Sequence, residues 1–336
     1  MIDYQDIRDV HLEISSLCNA SCPWCPRTFW GYPYNGGYPE TNLSLTQAQH
    51  IFRPEFLQQL TSIRINGNFG DIVMNPDGPA IVEYFFSHNP ALEVTISTNG
   101  GARNKDFWTR LARTPAKVLF CLDGLEDTHH LYRQNTQWST VIKNAKEFIS
   151  AGGYAVWSMI PFDHNRHQID ACKKTSQDLG FNEFELKNDG RDTAPVFDHQ
   201  GNLIHVLGDY RGETDFTILF QQKISDEVLL EDIVQDRIPN SCVNCKTVTL
   251  KSIYIAATGD VSPCCFTGFY PKTYGYGQYH QPANAQLIPL MVKHNALEYP
   301  LQHCIEWFKS VEKAWKIQDY KQGRLVICDD NCGQNP

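Results

Sequence analysis

From residue 10 to about 190 the chain alternates short runs rich in β-branched and aromatic residues with longer stretches whose apolar positions recur at helical spacing. The short runs predict strands over 10–15, 62–66, 93–98, 117–122, 154–160 and 183–187. The longer ones predict helices near 46–60, 78–88, 104–113, 139–151 and 166–179. The clearest is the fourth, where Val141-Ile142, Ala145 and Phe148-Ile149 step along one face and Gly152-Gly153 stops the helix. Thr46 is the expected cap of the first helix, and Pro54 is expected to kink or restart it. Six strand–helix units in alternation imply parallel strands joined by right-handed crossovers. Six are too few for a closed eight-stranded barrel. Two α/β arrangements stay open: a partial (β/α)6 TIM-like barrel, working at the C-terminal ends of its strands, or a doubly wound sheet.

Elsewhere the pattern changes. Residues 28–45 form a Gly/Tyr/Pro-rich excursion, read either as a cover over the preceding loop and an entrance lining or as an ordinary surface loop. Residues 192–240 lose the periodicity and read as a connecting region, with a helical stretch at 225–235. From residue 241 a small cysteine-rich α+β unit is expected. Ser252-Ile253-Tyr254-Ile255-Ala256, a turn at Thr258-Gly259-Asp260 and Val261-Ser262-Pro263-Cys264-Cys265 predict a hairpin. A helix is expected within 301–320, with Ile305, Phe308, Val311 and Trp315 on one face. The expected division is 1–191 for the barrel, 192–240 for the connection and 241–336 for the cysteine-rich unit.

The 29 basic and 38 acidic residues give a formal charge of -9, and no basic stripe suggests nucleic acid. The first residues carry neither a basic region nor an apolar run, so no signal peptide is expected, and no stretch is long enough for a membrane span. Twelve cysteines without an export signal read as reduced thiols and metal ligands in the cytoplasm.

Three of them, Cys18, Cys22 and Cys25, share one loop at spacing C-x3-C-x2-C just after the first strand. Three thiolates hold three irons of a cubane cluster and leave the fourth open to a small molecule. A partial zinc site, or unrelated buried thiols, are the competing readings. With Trp24 before the third cysteine, the pattern resembles the radical S-adenosylmethionine (SAM) superfamily, and it tips the fold toward the partial barrel. The resemblance implies a SAM-binding 4Fe–4S cluster and reductive cleavage of SAM to a 5′-deoxyadenosyl radical.

The strand ends supply the rest of the implied SAM site. Gly67, Asn68, Gly70 and Asp71 follow the second strand and resemble the family's Gly-Glu-Pro element, which holds the SAM amino group. They depart from it in that Asp71 stands for Glu and the proline is missing. Ser97, Thr98 and Asn99 follow the third strand, where the family contacts the SAM ribose or carboxylate. Asp123 follows the fourth, and Arg133 resembles the arginine that pairs with the SAM carboxylate. Asn165, after the fifth, is the expected adenosine contact. Asp189 and Arg191, after the sixth, are candidates for substrate binding or for taking a proton from it. Cys121 shares the parity of Asp123, so it is either a lumen-facing catalytic candidate or a buried structural thiol. For each of these residues an ordinary turn or surface role is the competing reading.

Seven of the twelve cysteines fall in the last 95 residues. Cys245, thirteen residues, Gly259, four residues and Cys264 reproduce the entry of the SPASM/twitch family. With Cys328 and Cys332 these imply four ligands for one auxiliary 4Fe–4S cluster. Cys242, Cys265 and Cys304 are left over for a second, and a zinc ribbon remains the alternative. An auxiliary cluster favours net oxidation or cross-linking. Because the barrel starts within ten residues of Met1, a small molecule such as a sugar, aminocyclitol or amino-acid derivative is preferred to a leader-bearing peptide. A reductant such as flavodoxin or ferredoxin is the expected partner. The alternatives are a peptide-modifying maturase and a non-enzymatic zinc scaffold.

Overall fold

The computed structural model describes residues 1–33, 38–187, 193–208, 212–225, 242–268 and 286–334. Asp189, Arg191, nearly all of the helical stretch 225–235 and the Tyr/Gly-rich loop at 270–282 lie outside the described residues. Six parallel strands follow one another through the first half: β1 (Asp9–Leu12), β2 (Ser62–Ile65), β3 (Glu93–Thr98), β4 (Lys117–Cys121), β5 (Tyr154–Met159) and β6 (Glu183–Leu186). Two more come from the C-terminal region, β7 (Ser252–Ile255) and β8 (Val261–Ser262). The sheet runs β8-β7-β1-β2-β3-β4-β5-β6. It is an α/β partial barrel.

Crossover helices cover the outer face: α1 (Leu45–Ile51), α2 (Pro54–Gln59), α3 (Gly78–His88), α4 (Lys105–Ala112), α6 (Trp138–Ser150) and α7 (Ile169–Asp178), whereas the short α5 (His129–Tyr132) packs Tyr132 against Phe162 and the cysteine loop. The apolar stripe of α6 buries Val141, Ile142, Ala145 and Phe148. Phe148 meets Trp108 of α4 and Phe120 of β4 edge-on, at centroid distances of 6.4 and 5.8 Å. Full burial of such a ring contributes about 2–3 kcal/mol. Strand β1 is buried along its whole length because β2 and β7 flank it.

Two expectations need correction. The helix over 46–60 is two helices, because Pro54 forces Arg53 into an extended conformation (ψ 154°) and then serves as the first residue of α2. The cap of α1 is Ser44, not Thr46. The Ser44 hydroxyl accepts from the N–H of Gln47, whose side chain accepts from the N–H of Ser44, a reciprocal box.

The hairpin turn forms as expected, with Gly259 at φ +88°, where a Cβ would press on Asn295 and Leu297. Its first strand, however, pairs in parallel with β1, Val10 opposite Ile253 and Leu12 opposite Ile255. The C-terminal region thus adds a seventh parallel strand to the barrel sheet. The connecting region contains a hairpin, Ala194–Phe197 with Leu203–Leu207, and a helix, Phe216–Ser225. The excursion after the cysteine loop packs there: Trp30 stacks on Phe197, and Phe29 meets Phe220. The helix sought in 301–320 is two pieces, Leu301–Cys304 and Phe308–Ala314, with Ile305, Phe308 and Val311 buried. Among the described residues no helix is long and apolar enough to cross a membrane.

Candidate functional site

Cys18, Cys22 and Cys25 emerge from the end of β1 into a tight loop. The Cys25 N–H donates to the Cys22 carbonyl at 3.0 Å, and the Thr28 hydroxyl donates to the same carbonyl at 2.8 Å. N–H donors already address two of the sulfurs. Cys18 Sγ accepts from the Ala20 N–H at 3.4 Å and from Asn99 Nδ2 at 3.5 Å, and Cys22 Sγ accepts from Arg133 Nη1 at 3.8 Å. Burial pushes the Cys18 thiol well above its ordinary range, and Asp71 and the two sister thiols add to this. Burial likewise pushes Cys22 up to about 11, against the opposing pull of Arg133. Among the described residues no three His, Cys, Asp or Glu side chains gather around one point as a single bound ion would gather them.

The three cysteines line one cavity of about 520 Å³ at the C-terminal ends of the strands. This is the size of a small-molecule site. Trp24, Gly67, Asn68, Gly70, Asp71, Ser97, Thr98, Asn99, Cys121 and Arg133 also line it. In the glycine loop, a Cβ on Gly70 would collide with the Ser15 carbonyl, so only glycine permits this approach to the cysteine-bearing segment. The Asp71 carboxylate fastens the loop to the end of β3. It accepts from the Thr98 hydroxyl at 2.6 Å, the Asn99 N–H at 2.7 Å and the Val73 N–H at 3.1 Å. Burial holds its pKa above the ordinary carboxylate value, and these hydrogen bonds oppose the shift.

Asp123 is fully buried behind Arg133. Its carboxylate accepts from Arg133 Nε and from the Ile160 N–H, both at 2.6 Å. Burial opposes the Arg133 charge, but Asp123, Cys22 and Cys121 outweigh it and hold the guanidinium above its usual pKa. Beside them His129 is buried between the Asp123 N–H and Thr136, and desolvation pushes it down to about 4, so it is neutral. Asn165 is also buried, and its amide is used within its own turn: it accepts from the Phe162 N–H at 2.7 Å and donates to the Ile160 carbonyl at 3.0 Å. Ala20, Pro26, Asn66 and Tyr132, each within two positions of a candidate that lines the cavity, line it too, and four further lining residues stand apart from those candidates: Ser158, Ile160, Lys187 and Phe266. The first three follow strand parity at the ends of β5 and β6, a usable signal; Phe266 comes from beyond β8 and carries none.

The C-terminal cysteines cluster as a second group. Antiparallel pairing of Cys242–Val243 with Gly333–Gln334 brings the two chain segments together. The Cys332 thiol donates to the Cys245 sulfur, which drives Cys245 down to about 6 and Cys332 up. Cys264 and Cys328 are both pushed up, chiefly by burial, with Cys245 contributing to each. The Thr247 and Thr267 hydroxyls lie 3.1 and 3.5 Å from the sulfurs of Cys245 and Cys264. Of the remaining thiols, Cys242 is exposed, Cys172 is buried in α7, and Cys304 is buried and donates to the Tyr299 carbonyl. The Cys265 carbonyl accepts from Asn68 Nδ2 at 2.9 Å, a direct link to the glycine loop.

The chain matches no protein-family model and no curated protein. Solved structures do match. Streptococcus suis SuiB bound to S-adenosylmethionine superposes with a TM-score of 0.54 at 14% identity, over 88% of this chain and 65% of SuiB. SuiB bound to its precursor peptide SuiA gives 0.53 at 15%, over 88% of this chain and 64% of SuiB. The chain thus spans a little under two thirds of SuiB's length. The protein anSMEcpe with bound AdoMet and the Cp18Cys peptide gives 0.50 at 16%, over 96% of this chain and 89% of that one. The likeness is one of fold: a partial barrel with cysteines beyond the end of its first strand and a cysteine-rich C-terminal region, shared with structures solved with S-adenosylmethionine bound.

Proposed function

We propose that this chain cleaves SAM reductively to a 5′-deoxyadenosyl radical and uses it to take a hydrogen atom from a substrate C–H bond, for net oxidation or cross-linking of a small molecule. The observation that carries the reading is one cavity holding three thiols from a single loop beside a glycine loop and the ends of β2 to β5. The donor set fits a cubane with an open corner: three soft thiols, two with N–H donors already directed at sulfur, and space alongside for an organic ligand. Cys18, Cys22 and Cys25 would hold that cluster, and Cys245, Cys264, Cys328 and Cys332 an auxiliary one. Together with SAM, these groups supply the homolytic chemistry and a place for the electron left on an oxidised substrate.

The chain's own residues do the positioning. Gly67, Asn68 and Gly70 present backbone groups to the amino-acid end of SAM. Ser97, Thr98 and Asn99 offer hydroxyl and amide groups to the ribose or carboxylate. Arg133, held at Nε by Asp123, keeps a positive charge beside Cys22. Trp24, Ile160 and Phe266 exclude water from the reacting bond. Cys121, Asp189 and Arg191 are the candidates for binding substrate or taking its proton. The twelve free thiols suit a reducing cytoplasm, with flavodoxin or ferredoxin as electron donor.

Anaerobic reconstitution tests the reading. About 8 irons per chain and 5′-deoxyadenosine formed under reduction are expected. Zinc at the C-terminal thiols with no SAM cleavage would replace it with a scaffold. A second reading, a peptide substrate, is favoured by one observation: SuiB and anSMEcpe were both solved with peptides bound. Transfer of deuterium into 5′-deoxyadenosine from a labelled metabolite, or from a labelled peptide, separates the two.

A further inference from the structure

The glycine loop hangs between the two halves of the chain. Glu13, the residue after β1, turns its carboxylate inward to 1% exposure, between the apolar core residues Leu12 and Ile14. One oxygen accepts from the Phe69 N–H at 3.1 Å, and the N–H groups of Asn68 and Gly70 bond to the same carboxylate. The other oxygen accepts from the phenol of Tyr254, on β7. Tyr254 is itself fully buried, with its ring edge-on to His11 at 5.2 Å. Burying a carboxyl is costly unless its hydrogen bonds are met, and here they are met by a loop and by a strand from the other end of the chain.

In a trans peptide the C=O points opposite to the N–H that follows it. With the N–H groups of residues 68–70 on Glu13, the carbonyls of residues 67–69 point away from it. Gly67, Asn68 and Gly70 line the cavity, and Glu13 does not. An array of carbonyl oxygens is what an ammonium group binds. The Asn68 side chain adds a second tie, to the Cys265 carbonyl, and Phe266 is the next residue in the cavity wall.

We propose that Glu13, fixed by Tyr254, is a positioning residue that aims the carbonyls of residues 67–69 at the ammonium of SAM, so that the C-terminal region helps set SAM affinity through β7; this rests on the cavity being the SAM site. The test uses the full reconstituted chain and equilibrium dialysis of two ligands, SAM and 5′-methylthioadenosine, which keeps the nucleoside but lacks the amino-acid end. Glu13→Leu is expected to weaken SAM at least about tenfold and methylthioadenosine less than about twofold, because an acceptor shared by several N–H groups is lost. Glu13→Gln keeps an acceptor oxygen and is expected to restore SAM binding to within about threefold of wild type. Tyr254→Phe, which keeps the ring in place should Glu13→Leu fail to fold, is expected to weaken SAM alone by about three- to tenfold. Equal losses for both ligands, Glu13→Gln as poor as Glu13→Leu, or wild-type affinity in Tyr254→Phe would each overturn the proposal. A wild-type chain that binds iron but not SAM would overturn the assignment of the cavity, and this proposal with it.

Discussion

Glu13 makes a quantitative prediction about stability, separate from ligand binding. Burial outweighs the hydrogen bonds from Tyr254 and the loop N–H groups, and pushes this carboxyl from its ordinary 4.5 up to about 7. The folded chain therefore holds the proton more tightly than the unfolded chain. The stabilisation this gives is complete below about pH 4.5 and is lost as pH rises through about 7. The gap, at about 1.36 kcal/mol for each pH unit, comes to about 3 kcal/mol. Glu13→Gln has nearly the same shape and cannot ionise, so it removes this dependence and leaves that of every other group. The assay is urea denaturation of both proteins under anaerobic, reducing conditions from pH 5 to 8.5, reading the difference in unfolding free energy. Wild type is expected to lose about 2–3 kcal/mol relative to the variant across that range, most of it below pH 7.5. A difference that stays flat, or that moves in favour of wild type with rising pH, refutes the reasoning.

Other variants test other parts of the site. Alanine at Cys18, Cys22 or Cys25 is expected to remove about four of about eight irons and abolish 5′-deoxyadenosine formation, whereas alanine at Cys245, Cys264, Cys328 or Cys332 removes the other four; iron analysis and chromatography of the nucleoside check both. Arg133→Met leaves Asp123 buried without its ion-pair partner and is expected to cost about 3–5 kcal/mol, measured by urea denaturation. Ser44→Ala breaks the capping box of α1, far from the cavity, and is expected to cost about 1 kcal/mol and ~2 °C in Tm by calorimetry, with SAM cleavage unchanged.

The parts of the fold that were legible in the sequence are those set by local pattern. Strand ends at 93–98 and helix limits at 78–88 are recovered because each apolar face points at one shared core and Gly or Asn closes each unit. Local chemistry also explains the slip at α1: Ser44 and Thr46 are both good caps, and only the reach of Gln47 back to Ser44 decides between them. What the sequence left hidden is pairing at a distance. A hairpin over 252–262 reads the same whether it stands alone or joins a sheet, and nothing in Ser252-Ile253-Tyr254-Ile255 names β1 as its neighbour. Trp30 and Phe197 are likewise ordinary aromatics until the fold stacks them.

Glu13 is the sharpest case of this limit. In His11-Leu12-Glu13-Ile14 it occupies a polar position of an alternating strand, where a solvated carboxylate is unremarkable. Its meaning comes from Tyr254, 241 positions away, and from loop N–H groups that have no strand to pair with. The two halves of the chain depend on each other at this point. A barrel whose first strand ended in an apolar residue at this position would leave those N–H groups unsatisfied, and the loop would relax toward water. A barrel with Glu13 but without β7 would bury a carboxyl lacking its phenol donor. Glycine loop, buried carboxyl and seventh strand are therefore one unit of design, and substitutions in any of them are expected to be felt at the other two.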